Sequence, residues 1–437
     1  MELLIVFLLF ILCMTAALIT GLSMIFPLVI GFFLFSFLAM RKGFSIRQIA
    51  SFAAGSFKDS FIVVSVMLII GCLIGLWRQS GTIAYFISLG VSLIPPWGFL
   101  PASFLLTAVM SYAIGTSFGV TATAGVILIS IARASGVSPV LTAGAILSGV
   151  YIGDRGSPAS SSANLVAVLT HTDMRKNIRM MLRSAALPFL CCAVLYAALS
   201  FALPLMEPSG TVTDLLRAEF AMHWTCLIPA ILMLALPFTG IRVRTAMLIS
   251  IISAFLIAVF VQGAAVLDCF KCMLLGYKAA DPQLDAMISG GGILSMLEVS
   301  VILLISGTYG GIFRGTGMLE AFNKRLVRLS GRIGRYPAML LLSMCTCALF
   351  CNQTIGAIMQ NQLSASLFGD TEPEKEDKMI AMENSVILVA GLVPWCIASS
   401  VPLSMLGANA ASLPFAFFLW LLPLFTVIRQ KKLFHRP

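Results

Sequence analysis

The chain has 437 residues, 59% of them hydrophobic and 11% charged, with a mean hydropathy of +1.01. Soluble domains carry about 25% charged residues, so this composition excludes a soluble globule and predicts an all-α polytopic membrane protein. The net charge of +10 raises a nucleic-acid partner as one reading, but its placement in short clusters between apolar runs fits a positive-inside bias, and no nucleic-acid partner is expected.

In chain order, stretches apolar and long enough to cross about 30 Å of hydrocarbon include 3–20, 23–40, 61–77, 184–205, 224–239, 246–266, 298–313 and 413–428. No basic region precedes the first, which therefore reads as a retained helix. Basic residues gather at Arg41, Lys42, Arg47 and Lys58, at Arg133, at Arg175, Lys176, Arg179 and Arg183, at Arg242 and Arg244, from Arg314 to Arg335, and at Arg429, Lys431, Lys432 and Arg436. Between them, 83–100 is uncharged, 207–219 is net acidic, and 370–378 holds Asp370, Glu372, Glu374, Glu376 and Asp377. With the basic loops cytoplasmic, both termini lie inside the cell membrane, Ser330 lies inside and Thr371 outside.

The chain also contains itself twice. Gly71, Gly75, Trp77, Arg78 and Gly81 recur as Gly307, Gly311, Phe313, Arg314 and Gly317. The spacing from Arg78 to Arg314 also carries Pro101 onto Pro337 and Gly115-Thr116-Ser117 onto Cys351-Asn352-Gln353. The loop after Arg78 is uncharged and the loop after Arg314 is basic, so equivalent loops fall on opposite sides and the repeat is inverted. The expected organisation is a first repeat at 1–206, an external linker at 207–222 and a second, inverted repeat at 223–437, each repeat having about five transmembrane helices. The expected total is ten crossings plus two re-entrant hairpins.

Each half has two candidate breaks. The segment 101–133 is too long for one straight crossing and contains Gly115-Thr116-Ser117-Phe118-Gly119, where glycine and small hydroxyls favour an unwound turn. Its counterpart is Cys351-Asn352-Gln353-Thr354-Ile355-Gly356. A re-entrant stretch is expected next, around Gly153-Asp154-Arg155-Gly156-Ser157-Pro158 and Ser160-Ser161-Ser162-Ala163-Asn164, answered by Met382-Glu383-Asn384-Ser385. Backbone freed inside a membrane must line protein or water, so the breaks predict a site at mid-depth.

Asp154, Arg155 and Glu383 are the charges left at depth, and intramembrane ionisable groups are functional candidates by default. A local Asp154–Arg155 ion pair and a Glu383 cap on a helix N-terminus are the competing structural readings. Arg78 and Arg314 sit at helix ends, where snorkelling accounts for them. Cys269 and Cys272 share an outside loop where a disulfide is one reading, and His171, His223 and His435 fall near boundaries, so no metal centre is expected.

Gly-Thr-Ser-Phe-Gly at 115–119, Gly-Asp-Arg-Gly-Ser-Pro at 153–158 followed by Asn164-Leu165, Met382-Glu383-Asn384-Ser385 leading to Leu392-Val393-Pro394-Trp395, and Pro414-Phe415-Ala416-Phe417-Phe418 together resemble the NhaC family of sodium/proton antiporters. The resemblance implies a fold of inverted repeats with broken helices and hairpins, and cation- or proton-coupled exchange. Some members of that family exchange organic acids. The chain departs from the family pattern by carrying Ser161, Asn352 and Asn384 where aspartates are usual, which makes it a divergent member.

The expected function is therefore a secondary active transporter, exchanging sodium and protons or coupling either to a solute. A carrier of organic acids or amino acids that does not exchange sodium is the alternative, and a channel is a remoter one. A hydrolase built from the serines, His171 and Asp154 is disfavoured, because His171 lies beyond the next helical segment. The expected substrate or ion site comprises Thr116, Ser117, Asp154, Ser157, Ser160, Ser161, Asn164, Asn352, Gln353, Glu383, Asn384 and Ser385, with Asp154 and Glu383 as proton-coupling candidates. No cofactor is expected beyond a bound sodium ion. The partners expected are the bilayer and a small ion or organic solute, with a homodimer left open.

Overall fold

A computed structural model describes residues 2–93, 96–202, 210–318 and 320–434; the linker expected at 207–222 is described only from residue 210, and His435 and Arg436 lie outside the described residues. The described chain is helical throughout, its one β-bridge joining Tyr277 and Gly290. Among the described residues, four helices are long and apolar enough to cross a membrane: Ser117–Ala134, Met174–Ala202, Val243–Phe260 and Ile293–Thr316. Val63–Gln79 and Thr82–Gly90 form a pair bent by 67°, and seven shorter apolar helices accompany them. Large apolar side chains such as Leu12, Phe33, Val194, Phe260 and Ile428 stay exposed, as lipid-facing residues must.

The two glycine/arginine helices, Ile46–Gln79 and Leu297–Thr316, pack against each other in opposite directions. Gly71 lies against the backbone of Gly292, whose N–H donates to the Gly71 carbonyl at 2.8 Å, while Gly311 lies against the backbone of Phe52. Glycine is needed at both contacts because a side chain there would meet main-chain atoms, and such small-residue contacts let membrane helices approach closely. Arg314 closes the second contact by donating to Ser56 Oγ at 2.8 Å.

The matching breaks fold alike. Phe99–Ile114 and Arg335–Phe350 are each 16 residues long and end on a left-handed residue, Gly115 at φ 77° and Cys351 at φ 53°. Thr116 (φ −142°, ψ 125°) and Asn352 (φ −143°, ψ 123°) then cap the helices beginning at Ser117 and Gln353, each side-chain oxygen accepting from the backbone N–H three residues on. A freed N–H group cannot be left bare in hydrocarbon, and either a hydroxyl or an amide oxygen satisfies it.

Five expectations need correction. The long segments are the hairpins, and the stretch expected to be re-entrant is a broken helix. In the second half, Arg335 at the start of the hairpin lies over the Phe368 ring beyond its end and pairs with Glu374 at 3.5 Å. In the first half, Ile131 near the end of the returning helix packs over Gly90, in the helix before the hairpin. The acidic segment 370–378 is not on the far side from the basic loops: Glu374 pairs with Arg335, and Glu376 pairs with Lys176. Glu372, Glu374 and Glu376 there answer Lys375, Arg335 and Lys176, so the sign of the segment does not mark a different compartment. Arg133 is likewise misplaced among the clusters of Arg41 and Arg47, because it lies close enough to Arg78 for their charges to repel, about 45 Å along the helix from Arg47. Arg78 itself does not snorkel, being 5% exposed. Finally, Cys269 and Cys272 are free thiols on one helix, Val266–Leu275, and Cys272 Sγ donates to the Gly75 carbonyl at 3.2 Å.

Candidate functional site

Asp154 sits near the C-terminal end of helix Pro139–Gly156, which is pressed onto Phe99–Ile114 through Gly149 and Gly153. That close packing sets its 5% exposed carboxylate against the tips of both hairpins. Ser117, from the first tip, lies close enough to act on the carboxylate. From the second, Gln353 Nε2 donates to Asp154 Oδ2 at 3.0 Å and to the Ile387 carbonyl at 3.1 Å. Ser162, in the helix Ser161–Thr170 beyond the break, donates to the carboxylate at 3.3 and 3.4 Å, and Ser160 donates to the Asp154 carbonyl. One acid is thus addressed by the first residues of two half-helices, whose exposed N–H groups and dipoles favour negative charge.

Arg155 points elsewhere, and among the described residues no ion pair joins it to Asp154 or Glu383. Its Nη2 and Nε donate to Asn384 Oδ1 at 2.5 and 3.1 Å, Nη2 also to Ser184 Oγ at 2.7 Å, and Nη1 to the Met181 carbonyl at 3.2 Å. Asn384 Nδ2 in turn donates to Thr426 Oγ1 at 2.9 Å, and Tyr336 OH donates to the Asn384 carbonyl at 2.8 Å. The guanidinium is therefore hydrogen-bonded without a carboxylate, so the local ion-pair reading fails. Glu383 is 1% exposed, its Oε2 has no hydrogen-bond partner, and its charge acts on Arg155. It ends helix Glu372–Glu383 and opens none, so it is not an N-terminal cap.

The remaining candidates have local roles. Ser157 Oγ accepts from the Ala159 N–H, Asn164 Nδ2 closes the loop by donating to the Pro158 and Ser160 carbonyls, and Ser161 is exposed. Ser385 Oγ donates to the Ala381 carbonyl at 2.6 Å and accepts from Gln360 Nε2 at 3.1 Å. Among the described residues the three amides Asn164, Asn352 and Asn384 share no hydrogen-bond partner. Absent from the expected site were Ser162, Ser184, Gln360, Tyr336 and Thr426, polar groups spaced singly along apolar helices. Gln360 carried the one available signal, an amide within the hairpin arm after Asn352.

The family model described as the Na+/H+ antiporter family matches residues 2–164 and 149–429. The chain is 26% identical over 372 residues to the Na(+)/H(+) antiporter NhaC of Alkalihalophilus pseudofirmus, covering 84% of this chain and 80% of that one. It is 27% identical over 414 residues to the malate-2H(+)/Na(+)-lactate antiporter of Bacillus subtilis, covering 90% and 85%. To the arginine/ornithine antiporter ArcD of Halobacterium salinarum it is 24% identical over 379 residues, covering 84% and 77%. The match runs through both hairpins and both broken helices, and the chain belongs to the Na+/H+ antiporter family as a member of its NhaC group.

Proposed function

We propose that this ion-coupled antiporter of the cell membrane exchanges sodium for protons at a site centred on Asp154, or couples one of those ions to a solute. The observation that carries the reading is that Asp154 accepts from Gln353 of the second tip while Ser117 of the first tip acts on the same carboxylate, each being the first residue after its hairpin tip. Among the described residues no lysine or arginine pairs with this carboxylate, and the Ser162 hydroxyl on it and the Ile387 carbonyl that shares Gln353 Nε2 with it supply oxygens, the ligand chemistry of a hard cation. Glu383, with an oxygen free to take a proton, is the second coupling group.

The antiparallel glycine/arginine helices and the matched caps at Thr116 and Asn352 support two inverted repeats, 1–206 and 223–437, joined by an external linker at 207–222. The same arrangement supports ten crossings, two hairpins and cytoplasmic termini, with 370–378 on the cytoplasmic side. Two hairpin tips meeting at one acid explain how a substrate could be released to either face while the site stays at mid-depth. No resident cofactor is required; a sodium ion bound at Asp154 would be cargo.

Arg155 favours a second reading. Its buried guanidinium faces an amide where a carboxylate would neutralise it, which suits a carboxylate-bearing solute such as those named for the malate/lactate relative. Purified protein in proteoliposomes tests both readings. Sodium gradients should drive proton movement that Asp154→Asn abolishes, whereas a gradient-driven organic-acid flux with no sodium/proton exchange would give the site to the solute.

A further inference from the structure

Arg78 is 95% out of solvent, and its Nε has no hydrogen-bond partner. Among the described residues, the charged and titratable side chains that act on it are Arg133, which repels it, and the Cys272 thiol, which is committed to the Gly75 carbonyl, and none of them is an acid. Arg133 spends its Nη2 on the Leu406 and Gly407 carbonyls at 2.8 and 2.9 Å. Gly290, at φ 117°, covers the Arg78 guanidinium so closely that a Cβ would lie 3.0 Å from Nη1. A buried cation beside a second cation is destabilising unless a negative charge joins them, and a buried N–H without an acceptor adds to that cost.

We propose that Arg78 and Arg133 together bind a small free anion, a halide or a simple carboxylate, at the end of helix Ile46–Gln79 opposite Arg47. The site lies about 24 Å along helix Ser117–Ala134 from the Ser117 tip, so it is separate from the Asp154 centre. Its occupant neutralises the two guanidiniums and joins three elements: the first glycine/arginine helix, the returning arm of the first hairpin, and the turn Gly290-Gly291-Gly292 of the second half. The Gly290 backbone over the guanidinium leaves no room for a bulky ligand, which favours a free ion over a lipid headgroup. The proposal is independent of which ion or solute the Asp154 site exchanges.

The full-length protein in phosphatidylcholine nanodiscs, at constant sodium and ionic strength, tests it by thermal unfolding as gluconate is replaced by chloride or by acetate. The midpoint should rise saturably with either small anion. Arg78→Gln removes a charge-assisted contact and should raise the half-effect concentration about tenfold or more, while Arg78→Lys retains part of the response. Arg133→Gln should weaken the response too and supplies the measurement if Arg78→Gln cannot be purified folded. A midpoint indifferent to chloride and acetate, or an equal rise in Arg78→Gln, would overturn the site. A rise that requires phosphatidylglycerol in the disc and ignores chloride would overturn the free-ion assignment in favour of a lipid phosphate.

Discussion

Replacing Asp154 by Asn removes one negative charge and little else. The amide keeps one oxygen, which can still accept from Gln353 Nε2, and the Ser162 hydroxyl can turn from donor to acceptor toward the new NH2. The cost to folding is therefore about 1 kcal/mol, the scale of one rearranged hydrogen bond. The cost to a bound cation is larger. A sodium ion about 4 Å from the carboxylate gains about 4 kcal/mol at an effective dielectric of about 20, and at about 1.4 kcal/mol per tenfold that is close to a thousandfold in affinity. Sodium-dependent proton movement in proteoliposomes, titrated against external sodium, should show the half-saturating concentration driven out of the measurable range, with the unfolding midpoint nearly unchanged. A variant that folds and keeps its sodium half-saturation within about threefold would remove Asp154 from the ion site, since the charge would then contribute under about 0.7 kcal/mol.

Single cysteines placed at Thr371 and Ser330 in a background lacking the native cysteines should react with an impermeant thiol reagent from the same face, because Arg335 pairs with Glu374 and Lys176 with Glu376; labelling from opposite faces would break the assignment of the second hairpin. Glu383→Gln keeps the side-chain shape and removes the titratable proton, so gradient-driven transport should fall while the protein still folds and substrate exchange persists; proton-driven uptake at the parental rate would leave Asp154 as the sole coupling acid. Asn384→Asp gives Arg155 a carboxylate at the existing 2.5 Å contact and should raise the unfolding midpoint by the equivalent of about 1 kcal/mol without tightening sodium, as Arg155 neutralises the new charge; a tenfold gain in sodium affinity would show that position 384 faces the ion instead.

The helices were legible because they write themselves into local pattern. Long apolar runs forecast 3–20, 224–239 and 298–313 closely, while the glycines of the Gly/Arg segments marked the contact where two helices meet backbone to backbone. The tips at Gly115-Thr116 and Cys351-Asn352 were legible for the same reason, since a broken helix needs a left-handed residue and a cap. What local pattern could not supply was direction. Nothing in 101–133 distinguishes a kinked crossing from a hairpin, because both need the same break, and only the approach of Ile131 to Gly90 separates them. Charge patterning failed at 370–378 and at Arg133 because sidedness counts charges singly, whereas Glu374, Glu376 and Arg133 are placed by their partners. Within the site, Asp154, Ser117 and Gln353 meet, but Thr116, Asn352 and Asn164 are engaged by their own backbone, which residue type alone does not reveal.

That distinction changes what the missing aspartates mean. At 352 the side chain is an N-cap whose oxygen accepts from the Ile355 N–H, and asparagine and aspartate cap about equally well, so the fold is indifferent to the exchange. Loss of charge there leaves the helix dipole beginning at Gln353 free to act on Asp154, which strengthens the hold on that one acid. At 384 the same exchange removes a formal partner from Arg155, yet the amide oxygen still receives two of its N–H groups and Ser184 a third contact, so the guanidinium stays hydrogen-bonded with its charge uncompensated. Ser161 lies exposed beyond the break. The three substitutions therefore act separately. One is a neutral cap and one lies outside the cluster, while the third leaves a positive charge beside Glu383, whose own carboxylate then becomes the group that must balance it. Neutral residues at these positions do not by themselves disqualify the Asp154 centre from carrying a cation; they shift the balancing of Arg155 onto Glu383, a buried acid with an oxygen still unpartnered.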